Sequence, residues 1–215
     1  MALIKVNNRG QSADFSTEIG ATKNLVINGA MQIAQRATTS GSEGYQTVDR
    51  FFTYKESCEQ LAVTQTQSTT SPDGFGSSYK LDVTTAESAT EANDQYELVT
   101  RLEGQDLQHL EHGSSTAKSV TLSFWVRSSK TGTYCISLYK RDTTRNITST
   151  YAISSANTWE KKTVTFAGDT SGAIDNDANR SLDIGWKLLI GSNFTGTAST
   201  TWGSTTDART ANGHT

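Results

Sequence analysis

Three groups of residues have the types and spacing to do chemistry. His109, Glu111 and His112 set two imidazoles three positions apart, so on one helical turn both would face the same way and could share a metal ion. A structural metal site needs about four ligands, and neither cysteine of the chain lies nearby in sequence. The segment therefore reads as a solvated turn, with His112 near its C-terminal end and Gly113 placed to end it. Asp175, Asp177 and Asn179 carry oxygen side chains at alternate positions, as calcium loops do. The glycine and the later acidic residue of the helix–loop–helix calcium site are missing. A polar turn outweighs calcium, and no cofactor is expected.

Aromatic side chains form the third group. Sugar rings present apolar CH faces that stack on aromatic rings, while Asn, Asp and Ser supply directional hydrogen bonds. Of Trp125, Tyr139, Tyr151, Trp159 and Trp202, the alternating pattern makes Trp125 and Trp159 packing residues between strands. Trp202, in a loop of Thr, Ser and Gly, and Tyr151 are the candidate glycan contacts.

Nothing in the chain suggests a catalytic constellation. There is no Gly-x-Ser-x-Gly elbow and no phosphate-cradling glycine loop. With three histidines, a hydrolytic triad would have to use His109, His112 or His214. The chain is not expected to be an enzyme.

Composition narrows the partners. The 215 residues are 34% apolar, enough for one medium-sized core, and the net charge of −3 gives no basic field for nucleic acid. No signal peptide and no run of roughly 18 apolar residues is present, so neither export by its own leader nor membrane insertion is expected. Cys58 and Cys135, far apart on strand-like segments, read as reduced thiols in or near the core.

The elements that must position these residues are strands. Val120, Leu122, Phe124 and Val126 alternate with polar neighbours, a Ser/Lys/Gly turn follows, and Tyr134, Ile136 and Leu138 alternate again, which predicts a long hairpin over 118–139. Further strands are predicted at Val48 to Phe52, 61–66, 79–83, 95–102, 147–153, 159–166 and 183–190, with a short hairpin about Asn28-Gly29. The segment 106–111, with Leu107 and Leu110 on one face, is the single helical turn and is placed to plug one end of the core. An all-β antiparallel sandwich or jelly roll over 24–215 follows, preceded by an extended arm at 1–23 that holds one short apolar run, Leu3, Ile4 and Val6.

The stretches NLVINGAMQIAQR at 24–36, YQTVDRF at 45–51, AKSVTLSFWVRSSKTG at 117–132 and ANTWEKKTV at 156–164 resemble a jelly-roll domain of bacteriophage tail-fibre and other virion structural proteins, especially of marine phages. The resemblance spans residues 24–202. It implies a non-enzymatic virion protein made in the host cytoplasm, docked onto the particle by Leu3, Ile4 and Val6 of the arm. The jelly roll would project as a fibre for host attachment, with other virion proteins as partners, a homotrimeric assembly and host-surface polysaccharide as ligand. The same family implies two alternatives, a capsid decoration, head-fibre or assembly protein that binds no glycan, and the carbohydrate-binding part of a depolymerase. Members usually close with a further strand reading roughly Ile-Thr-Gly-Val-Gln-Leu-Glu-Val-Gly, which is not found before Thr215, so truncation or a strand supplied by a partner is expected.

Overall fold

The computed structural model describes residues 24–195 and 200–204. Alternating apolar and polar residues over short runs favour strands buried on one face. The described residues form ten of them: β1 (Thr39–Ser40), β2 (Phe51–Glu56), β3 (Ala62–Ser68), β4 (Ser78–Thr85), β5 (Gln95–Glu103), β6 (Val120–Val126), β7 (Gly132–Lys140), β8 (Arg145–Ile153), β9 (Glu160–Phe166) and β10 (Arg180–Ile190). Every pairing between them is antiparallel. They make a five-stranded sheet in the order β2-β5-β10-β7-β8, and two smaller sheets, β1-β3-β4 and β6-β9. This is the expected β-sandwich.

The smaller sheets cover the apolar face of the large one. Ile136, Leu138, Ile147, Leu182 and Ile184 from the large sheet form one buried cluster with Val164 and Phe166 of β9, and the inward side chains of β6 pack against it. A second cluster joins Cys58, Leu61 and Tyr96 to Val63 and Leu81 of β3 and β4. Trp186 links the two halves, its ring 6.5 Å from Phe51 and 5.7 Å from Phe124. Both cysteines are buried and free, as expected.

The segment 104–110 closes one end of the core as predicted, with two short 3-10 turns, Gly104–Asp106 and Gln108–Leu110, that bury Leu107 and Leu110. Among the described residues no helix is long and apolar enough to cross a membrane.

Two predicted hairpins are corrected. The run 118–139 does contain two strands, but β6 pairs with β9 while β7 lies between β10 and β8. The chain crosses between layers at 127–131, so the apolar faces of β6 and β7 meet across the core rather than lying side by side in one sheet. Alternation specifies which face is buried and leaves the pairing partner open. At Asn28-Gly29 no hairpin forms. Asn28, at φ 57°, donates from Nδ2 to the carbonyls of Ile33 and Asp49 and accepts from the Ile33 amide at Oδ1. Its side chain thus takes the backbone bonds that a strand partner would have used. The predicted arm, with Leu3, Ile4 and Val6, lies outside the described residues.

Candidate functional site

Every second side chain of the five-stranded sheet points away from the core. Antiparallel register arranges these side chains in rows across the outer face. Arg101, Asp183, Tyr139 and Asn146 stand opposite one another from β5 to β8. Phe52, Val99, Gly185 and Ser137 form the next row, and Tyr54, Glu97 and Lys187 the third. Together with Glu56, Arg141 and Arg180 they line a groove of about 320 Å³. That lies at the lower end of the range of small-ligand clefts, roughly 300–1,000 Å³. A second cleft, lined by Glu43, Lys55 and Tyr96 among others, is about 170 Å³.

The floor of the groove is charged yet buried. Lys187 and Glu97 form an ion pair with only 5% and 7% of each residue exposed. Gly185 makes room for it, since a Cβ there would stand 2.7 Å from Glu97 Oε2 and 3.3 Å from Lys187 Nζ. A glycine in a strand interior often marks such a close approach, and here it also leaves the middle of the groove open. At one end Arg180 grips Asp183 with both Nε and Nη2. Burial, and then the neighbouring Arg101 and Arg141, pulls the Arg180 guanidinium down to about 10.

Aromatic rings hold the other two guanidiniums. Arg101 Cζ lies 3.8 Å from the centre of the Phe52 ring, with Tyr45 on the same side at 5.9 Å. Arg141 Cζ lies 5.2 Å from the Tyr139 ring. Tyr54 donates its hydroxyl to Glu56 Oε2 at 2.5 Å. The lining thus offers half-exposed tyrosines beside charged and amide donors and acceptors, a combination suited to a polyhydroxylated ligand. Neither described histidine lines it, and Glu97 and Asp183 are both held in ion pairs.

The residues predicted to act lie elsewhere. Tyr151 is buried in the core, 5.0 Å from Phe124 edge to face and stacked on Tyr134 at 5.8 Å, and burial raises its phenol far above the ordinary value. Trp202, expected on an exposed loop, instead seals one end of the sandwich. It packs against the main core cluster, donates from Nε1 to the Ala167 carbonyl at 2.6 Å and meets His112 edge to face at 5.7 Å. Trp125, expected between strands, is 39% exposed on the polar side of β6, while Trp159 is half-buried.

Beneath Trp202 lies a buried cluster. Asp169 accepts from Arg145 Nε at 2.7 Å and Nη2 at 3.1 Å, and pairs with Lys140 Nζ at 2.5 Å. Burial works against ionisation of Asp169, but the bonds from Arg145 and Lys140 overcome it and hold the carboxyl at about 2. Lys140 Nζ also lies 4.9 Å from the centre of the Trp202 ring. Burial, then Lys140, keeps the His112 imidazole below its usual value.

The calcium candidates form a turn. Asp177 accepts from the Asn179 amide at 2.9 Å and from its Nδ2 at 2.5 Å. The carbonyls of Asp177 and Asn179 accept from Gln105 and Gly104, and that of Asp175 from Gln108 Nε2. The turn therefore clamps the segment that plugs the core. His109 and His112 share no ligand cluster, and among the described residues no three or more His, Cys, Asp and Glu side chains are grouped to hold a metal.

Of the groove residues, sequence reasoning named Tyr139 among the aromatic candidates but missed the charged ones, because they look scattered along the chain. Two signals were available. Gly185 interrupts an otherwise bulky strand, and charged residues recur four apart on two strands, at 97 and 101 and at 183 and 187.

The sequence matches no protein-family model and no curated protein. Among solved structures it is similar to the enzymatically active domain of tailspike protein 4 of bacteriophage CBA120, with 12% identity and a TM-score of 0.39, over 78% of this chain and 20% of that one. The chain thus spans about a fifth of the tailspike's length. It is also similar to TmCBM61, solved in complex with β-1,4-galactotriose, with 8% identity and a TM-score of 0.39, over 79% of this chain and 91% of that one.

Proposed function

We propose that the chain is a non-enzymatic bacteriophage virion protein of the fibre type whose sandwich binds host-surface polysaccharide in the outer groove of the five-stranded sheet. The groove is the observation that carries this reading. Its walls join tyrosine rings to fixed donors and acceptors, its volume suits a saccharide, and its two buried carboxylates are locked by Lys187 and Arg180 rather than free for proton transfer. The virion setting rests on the sequence resemblance. In this proposal residues 1–23 dock the chain onto the particle, through Leu3, Ile4 and Val6, and three copies assemble.

Two measurements test it. A glycan array probed with the full chain should give discrete hits, and Tyr139→Ala should weaken them about tenfold, the worth of one stacked ring. A flat array would overturn saccharide binding and favour the assembly role. Immunogold labelling of intact particles should decorate fibres or tail tips, and unlabelled particles would remove the virion assignment.

A further inference from the structure

One end of the groove holds three guanidiniums, those of Arg101, Arg141 and Arg180, and a single carboxylate, Asp183. Arg180 occupies that carboxylate in a two-pronged grip. Arg101 Nε is left 3.9 Å from Asp183 Oδ1, too far for a hydrogen bond, and this buried nitrogen has no hydrogen-bond partner. Among the described residues no carboxylate pairs with Arg141. Arg101 and Arg141 both lie over aromatic rings, Phe52 and Tyr139. Stacking occupies the face of a guanidinium and leaves its in-plane N–H groups for an acceptor. Three guanidiniums around one carboxylate, in a chain whose net charge is −3, are a local excess of positive charge. The opposite end differs, because there Lys187 is matched by Glu97, and Glu56 accepts from Tyr54 and Gln95.

We infer that the groove takes an acidic saccharide, its carboxylate or sulfate ester seated at the Arg101–Arg141 end and its neutral ring extending over Gly185 toward Tyr54. This rests on the saccharide-binding reading above and specifies its ligand class. The oxyanion accepts from the in-plane N–H groups that Arg101 and Arg141 turn to the groove and offsets the crowding of the three cations around Asp183. Neutral sugars have no charge to offer there.

Calorimetric titration of the full chain with polygalacturonate, a sulfated galactan and a neutral galactan tests this, with inorganic sulfate and duplex DNA as further titrants. At least one acidic polymer should bind about tenfold or more tighter than the neutral one, a preference that shrinks as salt rises. Whichever acidic polymer binds identifies the substituent. Arg141→Gln, at an exposed position, and Arg101→Gln should each collapse the acidic-over-neutral preference at least about fivefold, with thermal unfolding recorded to establish that each folds. Equal binding of acidic and neutral polymers, or a preference untouched by both variants, would overturn the inference while leaving the groove a saccharide site. Sulfate or DNA bound as tightly as the acidic polymer would overturn it as a saccharide site. Binding of none of the titrants would remove this inference and the saccharide-binding proposal together.

Discussion

Glu97 and Lys187 stand directly opposite each other on β5 and β10, and their ion pair lies in the floor of the groove beneath the space that Gly185 leaves open. Two charges so far from water are tolerable only as a pair. Glu97→Ala should therefore cost about 3–5 kcal/mol in urea unfolding, because it takes the facing carboxylate away from a buried ammonium, whereas a Glu97→Leu, Lys187→Met double variant should recover most of the loss. Similar stability of the single and double variants would show that the loss of the facing carboxylate is not what destabilises the single variant.

Gly185→Ala tests the same floor from above. Its Cβ would meet Glu97 Oε2 at 2.7 Å, so the ion pair must shift. A loss of about 1–3 kcal/mol is expected, the usual cost of overpacking, together with weaker glycan binding. Wild-type stability with unchanged affinity would mean that the glutamate swings aside freely.

Acid should unfold the chain partly through Asp169. Its folded carboxyl sits at about 2, against about 3.9 for an unfolded aspartate. The folded state therefore binds the proton less readily, and the stabilisation is complete above about pH 4 and lost as the pH falls toward 2. Urea midpoints should show wild type losing about 2 kcal/mol more than Asp169→Asn across that window. At neutral pH the variant should be the weaker protein, since Lys140 and Arg145 then face each other without the carboxylate that both contact. Parallel pH profiles for the two proteins would contradict this account.

Trp202 is expected to matter for stability and not for ligand contact. It caps the core end over Lys140 and His112 and is not among the residues that line the groove. Trp202→Ala should lower stability by on the order of 2 kcal/mol, less than a fully buried tryptophan would cost. Loss of glycan affinity in a variant that keeps its melting temperature would restore the residue to the binding surface.

Both thiols should be silent in the native protein. Cys58 and Cys135 are buried, and burial raises the Cys58 thiol further above neutrality. A chromogenic disulfide reagent should label neither until denaturant is added. Immediate labelling of one equivalent would place a cysteine at the surface.

Much of the architecture could be read from alternation. The run Thr163, Val164, Thr165, Phe166 specifies one buried face whatever lies beside it, and β9 forms there. Pairing was not legible in the same way. Val120 to Val126 satisfies β6 equally well next to β7 or across the core from it, and the choice was made by contacts with β9, about forty residues later, such as Ser123 with Thr163. The groove was hidden for the same reason. Arg101 and Asp183 acquire a common function only through register, which local patterning cannot see. Trp202 misled because a loop of small polar residues predicts exposure, whereas the Gly203 bridge to Asn146 folds that loop back onto the core.

Glu97 and Lys187 are 90 residues apart, and β10, the last strand among the described residues, inserts between β5 and β7 at the centre of the large sheet. On a ribosome the two flanking strands emerge first, with an empty lane between them. Until β10 arrives, β5 and β7 each present an unpaired edge, and Glu97 has no counter-ion. A nascent or stalled chain ending before residue 180 is therefore a template for pairing with another copy, and its escape from aggregation depends on how quickly β10 is delivered. The groove comes into being only when β10 arrives.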